Sequence, residues 1–157
     1  DGSTGVWFLS LDAARLAAVV TARATYHLPY YWSRMSVRSG LLRVEYRSRR
    51  RWPSPRGPRS AVTVDIGAPF GADELGDLDH WLTARFRLYA LRGGGVGTAR
   101  AAHPPWPLYR AEVEVDDELV AAAGLSMPVG QPLAHWSPGV AVDIGLPERL
   151  GPVAALA

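Results

Sequence analysis

The chain has 157 residues, 48% of them hydrophobic and 10% aromatic, and no Cys. That length and composition describe one folded domain with a packed core, over residues 1–157, and they exclude disulfides, thiolate catalysis and Cys-based zinc sites. The formal charge is +2, yet all 17 basic residues are Arg and there is no Lys. No side chain can therefore form an imine with a carbonyl, which needs a primary amine. No apolar run approaches about 18 residues, so no membrane span is expected. No basic segment followed by an apolar one opens the chain, so a cytoplasmic location is expected.

Asp1 to Gly5 has the composition of a hairpin turn, which implies a strand ahead of it. Gly5 to Leu11 is a bulky apolar run of strand length, with Val6 and Phe8 on one face and Trp7 and Leu9 on the other, and predicts an inner strand. Asp12 is expected to cap a helix over Ala13 to Thr25, with Leu16, Val19 and Val20 on one side. Pro29 ends it. Met35 to Val37 and Leu41 to Trp52 read as two strands joined at Ser39-Gly40. In the second, Leu42, Val44 and Tyr46 alternate with Arg43, Glu45 and Arg47.

The stretch "RSRRRWPSPRGPRS" is a loop by composition. Ala61 to Ile66 alternates as a strand, and Asp73 to His80 predicts a short acidic helix. Trp81 to Leu91 is expected to be a long strand, with Leu82, Ala84, Phe86 and Leu88 facing one way. "RGGGVG" reads as a hairpin turn leading into a strand over Val96 to Ala102. "HPPWPLYRAEVEV" leads into another strand, Asp116 to Ala123 into a short helix ended by Gly124, and "PLAHWSPGVAVDIG" into a last strand bent at Ser137-Pro138-Gly139. The whole reads as α+β, mainly β: a curved mixed sheet or β-barrel with two or three short helices.

The four histidines, His27, His80, His103 and His135, lack metal-ligand spacing, so no metal and no cofactor is expected. His103 and His135 both precede Trp and Pro and are candidates to line one pocket end. "RGGGVG" lies between strands, where a phosphate cradle needs a following helix. Ser137 lacks a nucleophile's context and reads as a turn residue. Glu112 and Glu114 alternate with valines and share one face, an acid or base position only if that face is interior. The cluster Arg43, Arg47, Arg49, Arg50, Arg51, Arg56 and Arg59, with Tyr46 and Trp52 interleaved, is a nucleic-acid candidate. A solvated stripe of Arg43, Arg47, Arg49 and Arg51 on one strand face accounts for it better, so no nucleic-acid partner is expected.

The segment "GVWFLSLDAARLAAVVTARATYHLPYYWSRMSV", with "LTARFRLY", "HPPWPL" and "HWSPGV" further on, resembles the uncharacterised bacterial YqjF-like family (domain of unknown function 2071). The resemblance spans nearly the whole chain. It implies a relation in fold to acetoacetate decarboxylase, a β-barrel enzyme. There a strand, an alanine-rich helix and an aromatic-Pro-Lys-Lys turn carry the Schiff-base lysine, and a second lysine depresses its pKa. Pro29 matches that proline, and Tyr30 and Tyr31 stand where the lysines would. The resemblance thus implies the pocket while the residues remove its chemistry. It also implies additional N-terminal strands carrying an active-site carboxylate, which this chain is expected to lack.

The expected function is binding of a small organic anion or carbonyl compound in a barrel pocket lined by Tyr30, Tyr31, Arg34, Arg85 and His103, with Arg34 as the anion-binder. Two alternatives stand beside it. One is an imine-independent lyase or isomerase with Tyr30 or Tyr31 as general acid. The other is a non-catalytic module that forms a homo-oligomer through an exposed sheet edge.

Overall fold

Alternating and β-branched residues dominate the middle of the chain, and in the computed structural model they form strands. The structure describes residues 4–71, 73–92 and 95–152. A short strand β1 (Val6–Trp7) is followed by β2 (Leu11–Ala13) and helix α1 (Leu16–Thr21), which opens into a π-helical turn over Ala22–Tyr26. Three long strands follow: β3 (Tyr30–Ser39), β4 (Arg43–Trp52) and β5 (Arg59–Pro69). Helix α2 (Asp77–Thr83) leads to β6 (Arg87–Arg92), β7 (Gly95–Ala102) and β8 (Tyr109–Asp117). Helix α3 (Leu119–Ala122) and the short strands β9 (His135–Trp136), β10 (Asp143–Ile144) and β11 (Glu148–Pro152) complete the described chain. The fold is α+β and mainly β, as the sequence predicts.

The strands make two mixed sheets. One has the order β2-β3-β4-β5-β8-β9; in the other, β1-β6-β7-β10, the strand β11 also pairs with β7. Among the described residues, parallel pairing occurs twice, at β1 with β6 and at β2 with β3. The second pair is a β-α-β crossover, since a parallel neighbour can be reached only by such a connection. It sets Leu11, Asp12 and Ala13 against Tyr30, Tyr31 and Trp32.

Several expectations are corrected. The run from Gly5 is not one inner strand but two short ones, and Trp7 and Leu9 are about half exposed, at 45% and 50%. Asp12 lies in β2 and caps nothing: Arg15 precedes α1 without a side-chain cap, and the Asp12 carboxylate is held by Arg50 and Ser33. Helix α1 buries Val19 completely but leaves Leu16 and Val20 exposed. The π-helical turn that follows it ends where His27 takes a left-handed conformation (φ 56°), ahead of Pro29. The long strand expected from Trp81 begins only at Arg87. Trp81 and Leu82 belong to α2, whose start is fixed by the Gly76 amide donating to Asp79 Oδ2 at 2.8 Å and by the acidic residues Asp77 and Asp79 in its first turn.

Other expectations hold. The hairpin between β6 and β7 forms, with Arg92 opposite Gly95, although residues 93–94 of the glycine run lie outside the described residues. Asp117 Oδ2 accepts from the amides of Leu119 and Val120 and so starts α3, and Gly124 (φ 83°) follows its end.

The apolar core sits between the start of β3 and the β6-β7 hairpin. Leu28, Leu88, Ala90 and Ala99 are buried there, with Phe8, Leu11, Tyr26 and Tyr30 packed against them. On the middle strands Val44 and Val64 pair in register and are buried.

Candidate functional site

A strand shows alternate residues to opposite faces. On β3, Tyr30, Trp32 and Arg34 therefore face one way, and Tyr31 and Ser33 the other. The two tyrosines named by sequence do not share a wall. Tyr30 packs on the apolar core and lines a cavity of about 510 Å³ with Phe8, Tyr26, Leu88 and Ile144. Tyr31 turns to the opposite face, where the Arg50 guanidinium carbon lies 3.9 Å from its ring centroid. Arg34 is exposed, in register with Arg49, and borders neither cavity of the core.

Arg85 and His103 meet in a second cavity, of about 300 Å³, whose apolar walls include Leu82, Trp106 and Val142. Phe8, Leu88 and Ile144 line both cavities, so Tyr30, Arg85 and His103 border adjoining spaces divided by shared side chains. Arg85 follows α2, and its guanidinium carbon lies 3.9 Å over the Trp81 ring. Nη1 donates to Thr4 Oγ1 at 3.3 Å. Nη2 is buried and has no hydrogen-bond partner among the described residues. A buried guanidinium N–H without an acceptor is costly and is the group an anion would satisfy.

His103 stacks on Phe86 with ring centroids 4.9 Å apart, and Trp106 tilts against its ring at 5.6 Å. Its Nδ1 lies 2.9 Å from the Pro104 carbonyl and must carry a proton to donate there. Its Nε2 lies 3.4 Å from the Arg85 carbonyl, and in the neutral ring the tautomer decides which of the two nitrogens donates. His135, the other candidate for the same pocket end, is elsewhere: its Nε2 pairs with Asp79 Oδ1 at 3.1 Å, and Phe70 meets its ring edge-on.

On the opposite face of β3, Arg50 and Asp12 form a buried ion pair with 0% and 6% side-chain exposure and an Nε–Oδ1 distance of 2.8 Å. Ser33 donates to Asp12, and Arg50 Nη2 donates to Ser10. The sequence names Arg50 as one arginine among seven and misses this role; no local signal separates it from its neighbours. Glu112 and Glu114 are exposed, which removes the interior position needed for acid–base work. Away from the cavities, the Gly71 amide and then the Arg110 guanidinium hold Glu74 below the usual carboxylate range. Among the described residues no group of metal-ligating side chains is brought together, and no helix is long and apolar enough to cross a membrane.

The class that the fold and site define is a mainly β domain with a cavity bordered by Arg85, His103 and Trp106. The chain belongs to the DUF2071 family, described as an uncharacterized conserved protein, which it matches over residues 1–141. It is similar to the uncharacterized protein YqjF of Bacillus subtilis (strain 168), at 36% identity over 137 residues, 87% of this chain. The chain spans 56% of the length of that relative. No solved structure matches it.

Proposed function

We propose that this domain binds a small organic anion with an apolar or carbonyl-bearing body in the cavity bordered by Arg85 and His103, without Schiff-base chemistry. The supporting observations are the Arg85 guanidinium, whose buried Nη2 lacks an acceptor among the described residues, and the place of Arg85 in the lining of a space walled by Leu82, Leu88, Trp106 and Val142. Such a site pairs one charge-assisted contact with apolar enclosure, the usual division of labour in small-molecule pockets. His103 adds a second polar group. Tyr30, across the shared Phe8–Leu88–Ile144 wall, limits how far a ligand's apolar end extends. The absence of Lys removes the imine route.

A thermal-shift and calorimetric screen of short carboxylates and keto acids tests this. A binder should raise the melting temperature at millimolar concentration. Arg85→Gln should abolish the shift while the variant remains folded, and Arg34→Ala should retain it. If no anion raises the melting temperature, or if Arg85→Gln binds as the parent does, the proposal fails.

A further inference from the structure

We infer that the domain carries a second, independent binding site, for a flat organic polyanion with the chemistry of a nucleoside triphosphate, in the cleft between α1 and the adjoining ends of β3 and β4. The cleft measures about 870 Å³, within the range of small-molecule sites, and is separate from the Arg85 cavity. Trp32 and Trp52, directly opposite each other on β3 and β4, form its aromatic wall, and Leu16 and Val20 of α1 add apolar surface. Arg49, Arg51 and Arg56 supply its charge.

Several arginines of the sheet are neutralised: Arg43 by Asp65, Arg47 by Glu45, Arg59 by Glu118, Arg110 by Glu74 and, at the edge of the cleft, Arg50 by Asp12. Arg34 and Arg38 of β3 form no salt bridge among the described residues, but they do not line the cleft. Among the described residues, Arg49, Arg51 and Arg56 have no salt bridge. A β-bulge brings one of them to the tryptophans. Trp32 pairs with Trp52 but Ser33 with Arg50, so Arg51 is the extra residue, and its guanidinium lies 5.4 Å from the Trp32 ring centroid. Arg50 also borders the cleft, but its guanidinium is committed to Asp12 on the opposite face and adds no free charge. Several unpaired guanidiniums around one space favour a multiply charged anion, which each planar fork can grip through two oxygens. Trp52 is 40% exposed, with the Arg23 guanidinium 5.8 Å from its ring centroid, and its remaining surface can stack a ring.

Tryptophan fluorescence and calorimetry on the purified chain test this with four probes: ATP, adenosine, inorganic triphosphate and a single-stranded oligothymidylate. ATP should quench saturably below about 1 mM, and inorganic triphosphate should bind more weakly because it has no ring. Adenosine should bind weakest, since it carries no charge. Arg51→Gln with Arg56→Gln should weaken ATP about tenfold or more through lost charge-assisted bonds. Trp52→Leu should weaken ATP but not inorganic triphosphate. Arg85→Gln should leave ATP binding intact, which separates this site from the cavity above. Three results would each overturn the inference: no saturable ATP binding, equal affinity for ATP in the double arginine variant with its melting temperature unchanged, or an oligothymidylate that binds far more tightly than ATP.

Discussion

Arg50 and Asp12 show how one residue pair organises the β-α-β crossover. Asp12 lies on β2, Ser33 on β3 and Arg50 on β4, so their hydrogen bonds tie three strands at one point. Taking both charges out of water is expensive, and Ser10, Ser33 and the Tyr31 ring offset part of that cost. Arg50→Met leaves a buried carboxylate with only Ser33 to satisfy it, and should cost about 3–5 kcal/mol in urea unfolding. Combining it with Asp12→Leu should cost well under the sum of the two single changes, because neither charge is then left alone. Strictly additive losses would mean that the two residues do not act as a pair.

At the scale of elements, β1 depends on a close backbone approach. Its two residues pair with Leu88 and Tyr89 of β6, and Gly5 immediately precedes them. A Cβ at Gly5 would collide with the Arg87 carbonyl and the Tyr89 ring, and backbone cannot yield as a flexible side chain would. Gly5→Ala should therefore destabilise the protein by about 1–3 kcal/mol. Hydrogen exchange should locate the damage, with faster exchange at the β1–β6 pairing and little change on β3 to β5. Because Val6 and Arg87 also line the Arg85 cavity, the same variant should weaken binding of any carboxylate that the proposed site takes. Uniform loss of protection across both sheets would show instead that β1 does not open separately.

At the scale of the whole molecule, the balance of surface and core is unusual. The accessible surface is 10746 Å², against roughly 7,700 Å² from size scaling for a compact chain of 17.0 kDa. Large apolar residues such as Leu41, Leu42, Trp81 and Phe86 contribute to it. Apolar surface on this scale favours self-association and dye binding. The sequence-based expectation of a homo-oligomer is therefore kept as a proposal: sedimentation velocity should show mass rising with concentration. A hydrophobic dye such as anilinonaphthalene sulfonate should bind the native protein, less so as it associates. A strict monomer at all concentrations that leaves the dye dark would count against it.

Much of the architecture is legible locally. Alternation along β4 and β5, the turn at Ser39-Gly40 and the glycine run before β7 mark antiparallel neighbours, because period-two patterning and turn chemistry act within a few residues. The lack of Lys excludes imine chemistry by composition alone. The site residues were legible only in part. Arg85 and His103 can be picked out as residue types, but not the cavity that joins them, which forms when β6, β7 and the chain around Val142 are brought together. Tyr30 and Tyr31 look equivalent in sequence, and the strand pleat sends them to opposite faces. Trp81 and Leu82 fit a strand pattern, yet the Gly76–Asp79 cap starts a helix that takes them up. Asp12 looks like a cap until β4 supplies Arg50, 38 positions away along the chain. Sequence alone determined the residue types, the strand pattern and the chemistry excluded. Tertiary structure decided which charges find partners and which are left facing a cavity, because pairing and burial depend on contacts between distant segments.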